Sequence, residues 1–530
     1  MAEKLPFLLP EITLFVTTCL VMIFGLSPRR EIRQIMPWLV GFALVVAAAL
    51  AAWTPVDTND FSFFPAALPY AKVLVALVGL LLLLLLPGTV DRGDEERIAR
   101  GEASFDPLRV TRPEFYAFFL FALTGLMLTA SAGDLVWLFL ALELTSLPGY
   151  IMVTISARGG QAEARSGEAG VKYFFLGALG AAVFLYGFTL LYGAAGTTDL
   201  LGIAAALQTN GVGPLATAGL VLAVLGLGFK IAAVPMHFYT ADVYQGAAAP
   251  VSAMLAFVPK AAGFIGLIFI CACAGWNHGL GGNSLPPALE ILLWTMAALT
   301  MLVGNVLAIL QNSVKRLLAY SSVSHSGYML VGLVAGPAGS RVTENGVAAV
   351  LFYLLCYGVM NVGAFAVIAS LERRAGQEVD SFDDLRGMFR AHPALGTVMV
   401  ICALSLLGMP PLLGFFGKLH LVTAGIAAGH IPLVIVLLVN SAIAAFYYLR
   451  LVAVPLLEAR GPEEPIDYAR TPFSSRVIAG LISAGGTVAL VFVAGYLVRA
   501  SGIAATPRSV GVPAQAETPA DAPQPLVHAD

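Results

Sequence analysis

Of the 530 residues, 58% are hydrophobic and only 12% charged, with a mean hydropathy of +0.86. A soluble domain is about half apolar and a quarter charged, so a soluble enzyme and a disordered chain are both excluded. A net charge of −3 gives no electrostatic footprint for nucleic acid.

The apolar excess falls in blocks of about 20 residues, the length a helix needs to cross the hydrocarbon layer. Fourteen spans are predicted, at about 7–27, 34–53, 70–88, 113–131, 133–154, 168–193, 214–235, 248–274, 286–310, 316–336, 345–371, 394–426, 430–454 and 475–499. The expected fold class is therefore an all-α polytopic membrane protein. No basic region with a small-residue cleavage site opens the chain, so the first block is expected to remain as a helix. The stretch 379–391 mixes Phe, Leu and Met with charges at helical spacing and predicts an amphipathic surface helix. Residues 505–530, rich in Ala, Pro and acid, predict a disordered tail.

Basic residues set the orientation. Of the 29 Lys and Arg, 21 follow odd-numbered spans, and five (Lys4, Lys72, Arg341, Arg499 and Arg508) lie on the other side. The bias predicts both termini outside and an even number of spans. Three basic residues remain, Lys230, Lys260 and Lys418, and all fall within apolar spans.

A charge at mid-bilayer costs several kcal/mol unless paired or hydrated. A desolvated ammonium also gives up its proton more readily than a hydrated one, a property a proton relay requires. The acidic counterpart is Glu143, in LVWLFLALELTSLPGYIM. Paired with Lys230 it would lower the burial cost of both, and protonating one would change the affinity of the other. A static salt bridge that fixes helix register is the plainer role for such a pair; three lysines and one glutamate in separate spans favour the relay.

Helix breakers stand beside the lysines: Pro235 after Lys230, Pro259 before Lys260, and Gly408-Met-Pro-Pro411 before Lys418. Discontinuous helices next to mid-bilayer polar groups mark ion pathways in transporters. His325, among hydroxyls in Tyr320–Tyr328, suits either a relay or a hydrogen-bonded core position. His420 points to a different face from Lys418, His237 belongs to the loop motif 235–244 as a cap, and Glu11 reads as structural near the outer surface. The five cysteines lie inside apolar blocks and read as small hydrophobic filler. No metal, haem or iron–sulfur spacing, P-loop or dinucleotide fingerprint is present in the sequence.

The stretches PMHFYTADVYQGAAAP (235–250), KRLLAYSSVSHSGY (315–328) and GEAGVKYFFLGALGAAVFLYG (167–187) resemble the antiporter-like subunits of respiratory complex I. The resemblance covers roughly residues 5–500 and is to subunit N most of all, called subunit 2 in mitochondria. M-type relatives carry a glutamate where Lys418 stands, L-types a long lateral C-terminal helix, and both a His-rich helix 11. Here helix 11 holds neither His nor Lys, and the chain ends soon after span 14.

The resemblance implies two inverted five-helix repeats with discontinuous helices 7 and 12. The boundaries become 1–112 for an N-terminal three-helix segment, 113–274 for helices 4–8, 286–454 for helices 9–13, 475–499 for the last helix and 505–530 for the tail. It implies a hydrophilic axis of Glu143, Lys230, Lys260 and Lys418, with His325, Tyr353, Tyr357 or water bridging the last two. It also implies a non-redox, proton-translocating subunit of an NADH:quinone oxidoreductase in the bacterial inner membrane. No cofactor is expected on this chain; NADH, FMN, iron–sulfur clusters and quinone would belong to partner subunits, and M-type and K-type chains would be its neighbours. The alternatives are a subunit of a multi-subunit sodium/proton antiporter, a non-pumping scaffold, and a solute carrier.

Overall fold

In the computed structural model, residues 5–54, 63–90, 112–157, 160–279, 284–337, 341–371, 378–458 and 474–508 are described, with a few single positions between them. The tail beyond 508 lies outside the described residues, as do Lys4, Arg92, Arg109, Arg158, Arg373, Arg374, Arg460 and Arg470 of the charge-bias argument.

The described residues form helices and connecting turns. The first three helices are α1 (Leu9–Gly25), α2 (Arg30–Trp53) and α3 (Ala67–Leu83). Next come α4 (Arg112–Ala130), α5 (Leu135–Ile155), α6 (Gly160–Ala195), α7 (Leu200–Asn210), α8 (Pro214–Lys230), α9 (Thr240–Gly246) and α10 (Ala249–Ala274). Then follow α11 (Pro287–Ile309), α12 (Val314–Ala335), α13 (Gly346–Ser370), α14 (Phe382–Leu385), α15 (Met388–Ala391), α16 (Pro393–Leu407) and α17 (Leu413–Ala427). The last are α18 (Ile431–Leu457), α19 (Ser474–Ala489) and α20 (Ala494–Ala504). Ten are long and apolar enough to cross a membrane, or eleven if α19 and α20, bent by 90° at a short break, form one crossing. The chain is a multi-pass membrane protein.

Local chemistry explains where helices start. Asp134, Ser313 and Asn345 cap α5, α12 and α13 with side-chain oxygens that accept backbone N–H bonds. Pro214, Pro287 and Pro393 occupy first helical positions, where the missing N–H has no intrahelical partner to lose.

The helices α10 and α13, almost wholly apolar, are buried on every side, and α12, despite its row of serines and His325, nearly so, because the other helices enclose them. The pairs α6–α8 and α11–α12 are the most extensively packed. Small residues allow it: a Cβ at Gly226 would fall 2.4 Å from the Phe184 backbone nitrogen, and one at Gly327 2.7 Å from that of Met301.

Several sequence expectations are revised. Pro259 does not break its helix, since α10 runs unbroken from Ala249 to Ala274 inside its shell of neighbours. The expected amphipathic helix at 379–391 is instead two four-residue helices, α14 and α15, separated by Gly387 at φ 70°. Phe382, Leu385 and Met388 are buried rather than laid on a surface. Part of the 235–244 motif is helical as α9, and α7 fills a stretch expected as loop.

Two interruptions shape the centre. After Lys230 ends α8, the chain turns through 231–239, with a cis Val234–Pro235 peptide and Ala232 at φ 55°, before α9 begins. Between α16 and α17, Gly408 at φ 88° and a cis Pro410–Pro411 peptide carry the chain across a gap.

Candidate functional site

Glu143 and Lys230, weighed as a pair on charge alone, meet in the structure. Lys230 Nζ donates to Glu143 Oε1 at 2.9 Å, to Ser146 Oγ, and to the Leu142 carbonyl at 3.4 Å. Lys230 is 1% exposed, while the Glu143 side chain keeps 19% exposure. Because Lys230 is the last residue of α8, its ammonium lies where that helix stops.

The break also connects Lys230 to Lys260. The Ile231 carbonyl, released by the end of α8, accepts from Ser326 Oγ at 2.6 Å. Ser326 Oγ in turn accepts from Lys260 Nζ at 2.9 Å, and Lys260 also donates to the Ser322 carbonyl. Ser322, His325 and Ser326 lie three and four residues apart, so they share one face of α12. Among the described residues no carboxylate forms an ion pair with Lys260 or Lys418; hydroxyls, carbonyls and aromatic faces take that place.

His325 occupies the space between those two lysines. One ring nitrogen, Nδ1, lies 2.8 Å from Tyr353 Oη and the other, Nε2, 2.8 Å from Tyr448 Oη. Tyr448 Oη also shares a bond with Ser321 Oγ. The Tyr357 ring packs 5.0 Å from the imidazole and lies 6.0 Å from Lys260 Nζ, so it neighbours both. On the other flank the Tyr328 ring packs edge-on to His325, and Lys418 Nζ lies 4.8 Å from its centroid.

Lys418 donates to the Leu407 carbonyl at 2.7 Å and to Ser441 Oγ at 2.9 Å. Leu407 ends α16, so the second interruption supplies a ligand to a buried lysine just as the first ends at one. Backbone carbonyls at helix breaks are met by polar groups because lipid offers none.

The remaining expectations fall elsewhere. His420 Nε2 donates to the Val342 carbonyl at 3.0 Å, away from the lysines. His237 stays in the turn before α9, and its carbonyl accepts the Thr240 N–H. Glu11 pairs with Lys72 at 2.7 Å, and Ser131 Oγ donates to the same carboxylate. Lys72 is fully buried in α3, so it is not the outer-loop charge that the orientation argument assumed.

Sequence reasoning missed the neutral partners Ser146, Ser441, Tyr448 and the buried asparagines Asn305 and Asn440. Ser322, Ser326 and Tyr328 belong to the hydroxyl run 320–328 that it singled out.

Broken helices that bring buried lysines to a line of hydroxyls, aromatics and one histidine lie inside a multi-pass membrane protein. The comparisons with known proteins give its family. Residues 132–444 match the family described as NADH:quinone oxidoreductase/Mrp antiporter, TM. NADH-quinone oxidoreductase subunit N of Halorhodospira halophila is 35% identical over 485 residues, covering 91% of this chain and 94% of that protein. Subunit N 1 of Rhizobium meliloti is 36% identical over 498 residues, covering 92% and 94%. The fold superposes on a chain of respiratory complex I from Thermus thermophilus with TM-score 0.74 and 31% identity, covering 93% of this chain and all of that one. A chain of the Mrp complex from Dietzia shares the fold at TM-score 0.75 and 21% identity, covering 95% and 97%. The chain belongs to the NADH-quinone oxidoreductase subunit N family.

Proposed function

We propose that this chain translocates protons as a membrane-arm subunit of an NADH:quinone oxidoreductase, through Glu143, Lys230, Lys260, His325 and Lys418. The observation that carries the reading is the Glu143–Lys230 pair at 2.9 Å, next to two buried lysines with no carboxylate partner among the described residues. At an effective dielectric of about 20, unit charges this close interact by a few kcal/mol. Opening the pair leaves the Lys230 charge uncompensated, and that charge opposes the ammonium form of Lys260.

The Lys260 proton then leaves through hydroxyls and water beside Ser322, Ser326 and Tyr357. His325 accepts at one ring nitrogen and releases from the other, and Lys418 receives. Closing the Glu143–Lys230 pair resets the cycle.

In this reading the chain makes fourteen crossings, with α8–α9 and α16–α17 as the discontinuous helices 7 and 12. Two inverted five-helix repeats span 113–274 and 286–454, after a three-helix segment and before a last helix. Both termini face outward from a bacterial inner membrane, and M-type and K-type subunits flank the chain. Redox chemistry at NADH, FMN, iron–sulfur clusters and quinone takes place on partner subunits. The shared fold of the Mrp chain favours a second reading, a sodium/proton antiporter subunit; lysines without carboxylates suit a proton better than a sodium ion.

The test replaces Lys230 or Lys418 by Ala in the assembled complex and measures quinone reductase turnover and proton uptake in inverted membrane vesicles. Loss of both per assembled complex is expected; unchanged turnover contradicts the reading.

A further inference from the structure

Two buried asparagines lie one shell away from Lys418. Asn305 on α11 is fully buried, and Asn440 on α18 is 3% exposed. Placing amides among apolar helices is costly unless each polar atom is paired. Here they are paired: Asn305 Nδ2 donates to Tyr328 Oη at 3.2 Å, to the Asn440 carbonyl at 3.1 Å and to Asn440 Oδ1 at 3.2 Å. Asn305 Oδ1 accepts from Tyr447 Oη at 2.9 Å, and Asn440 Nδ2 donates to the Val436 carbonyl. Such satisfied networks fix geometry more firmly than the sum of their bonds.

What the network holds is specific. Lys418 has three neighbours that favour its ammonium: the Leu407 carbonyl, Ser441 Oγ and the Tyr328 ring. Asn305 grips the hydroxyl of that tyrosine, and it also grips the backbone of Asn440, the residue preceding Ser441. Two of the three contacts on Lys418 therefore depend on one amide that never touches the lysine.

We propose that Asn305 is a positioning residue for Lys418, setting the Tyr328 ring and Ser441 hydroxyl against the ammonium through its two-sided bond. The inference rests on the relay reading, in which Lys418 is the receiving site. Rigid support of this kind matters because a displacement of about 1 Å at a reacting group costs up to ~100-fold in rate.

The test is a mutant cycle in the assembled complex, read as quinone-reductase kcat and KM together with proton uptake by inverted vesicles. Asn305→Leu keeps the branched skeleton and removes every side-chain hydrogen bond; kcat is expected to fall about fivefold with KM unchanged. Tyr328→Phe combined with Ser441→Ala should lower kcat similarly. Adding Asn305→Leu to that pair should change kcat by less than about twofold, because residues acting through one another are non-additive. Independent, multiplying losses would overturn the proposal, as would an unchanged kcat in Asn305→Leu. If Asn305→Leu fails to assemble, the smaller Asn305→Ala carries the same cycle, since it removes both N–H donors without adding a charge beside Lys418. Lys418→Ala, run in parallel, separates the two ideas. Full turnover there defeats the relay reading, whereas lost turnover beside additive Asn305 effects defeats only the positioning role.

Discussion

Lys418 Nζ lies 2.7 Å from the carbonyl oxygen of Leu407, the residue on which the preceding helix segment ends. A helix terminus leaves carbonyls without intrahelical donors, and its partial negative charge favours a cation there. The interruption between α16 and α17 thus creates the site that the lysine fills, and its geometry should be as sensitive to substitution as the lysine itself.

Gly408→Ala tests that link. Gly408 sits at φ 88°, a conformation that disfavours side chains, and an added Cβ would fall 2.9 Å from Lys418 Cδ. Strain of roughly 1–3 kcal/mol is expected, with proton uptake per assembled complex falling about tenfold. Vesicle fluorescence quenching with an acridine dye, normalised to complex content, checks it.

The Glu143–Lys230 pair predicts an asymmetry between single and double changes. Removing one partner of a buried pair strands a charge, at about 3–5 kcal/mol. Lys230→Met should therefore lower assembled complex more than Glu143→Gln plus Lys230→Met together. Both variants should lose pumping, so stability and function separate. Native gels and thermal unfolding of the purified complex read the first effect, proton uptake the second.

His325 gives a third expectation. Both ring nitrogens are bonded to tyrosine hydroxyls at 2.8 Å. His325→Gln retains hydrogen bonding without a titratable ring, so the complex should assemble normally while turnover drops by about 10²- to 10⁴-fold, the usual range for losing a proton-transfer group. Turnover within twofold of the natural chain would assign His325 a core role instead.

Glu11 and Lys72 form a buried pair at 2.7 Å in the N-terminal helices, far in sequence from the lysine row. Lys72→Met should reduce the amount of assembled complex several-fold, because it leaves the Glu11 carboxylate uncompensated. Turnover per remaining complex should stay within a factor of two. Immunoblotting against specific activity distinguishes the two quantities.

The lysine row was legible in the sequence for one reason: a charge inside an apolar block stands out. Glu143, Lys230 and Lys418 follow from that contrast, together with the Pro and Gly residues at 235 and 408–411 that break α8–α9 and α16–α17. The same contrast failed at Lys72, whose block begins only a few residues earlier, so the charge looked like loop. Pro259 misled because tertiary enclosure overrides a local breaker in α10. The eleven residues of α7 are too short to read as a crossing. Asn305 and Asn440 were invisible since a single neutral amide in a helix signals nothing by itself, and their pairing spans 135 positions.

The most direct test of proton passage is the number of protons taken up per NADH oxidised by vesicles whose complex carries Lys260→Ala. Lys260 is the buried centre of the row, and its hydrogen bonds among the described residues go to Ser322 and Ser326 of α12. The account predicts that proton uptake and the coupled turnover both collapse while the complex remains assembled. Unchanged turnover with an unchanged proton yield would contradict it.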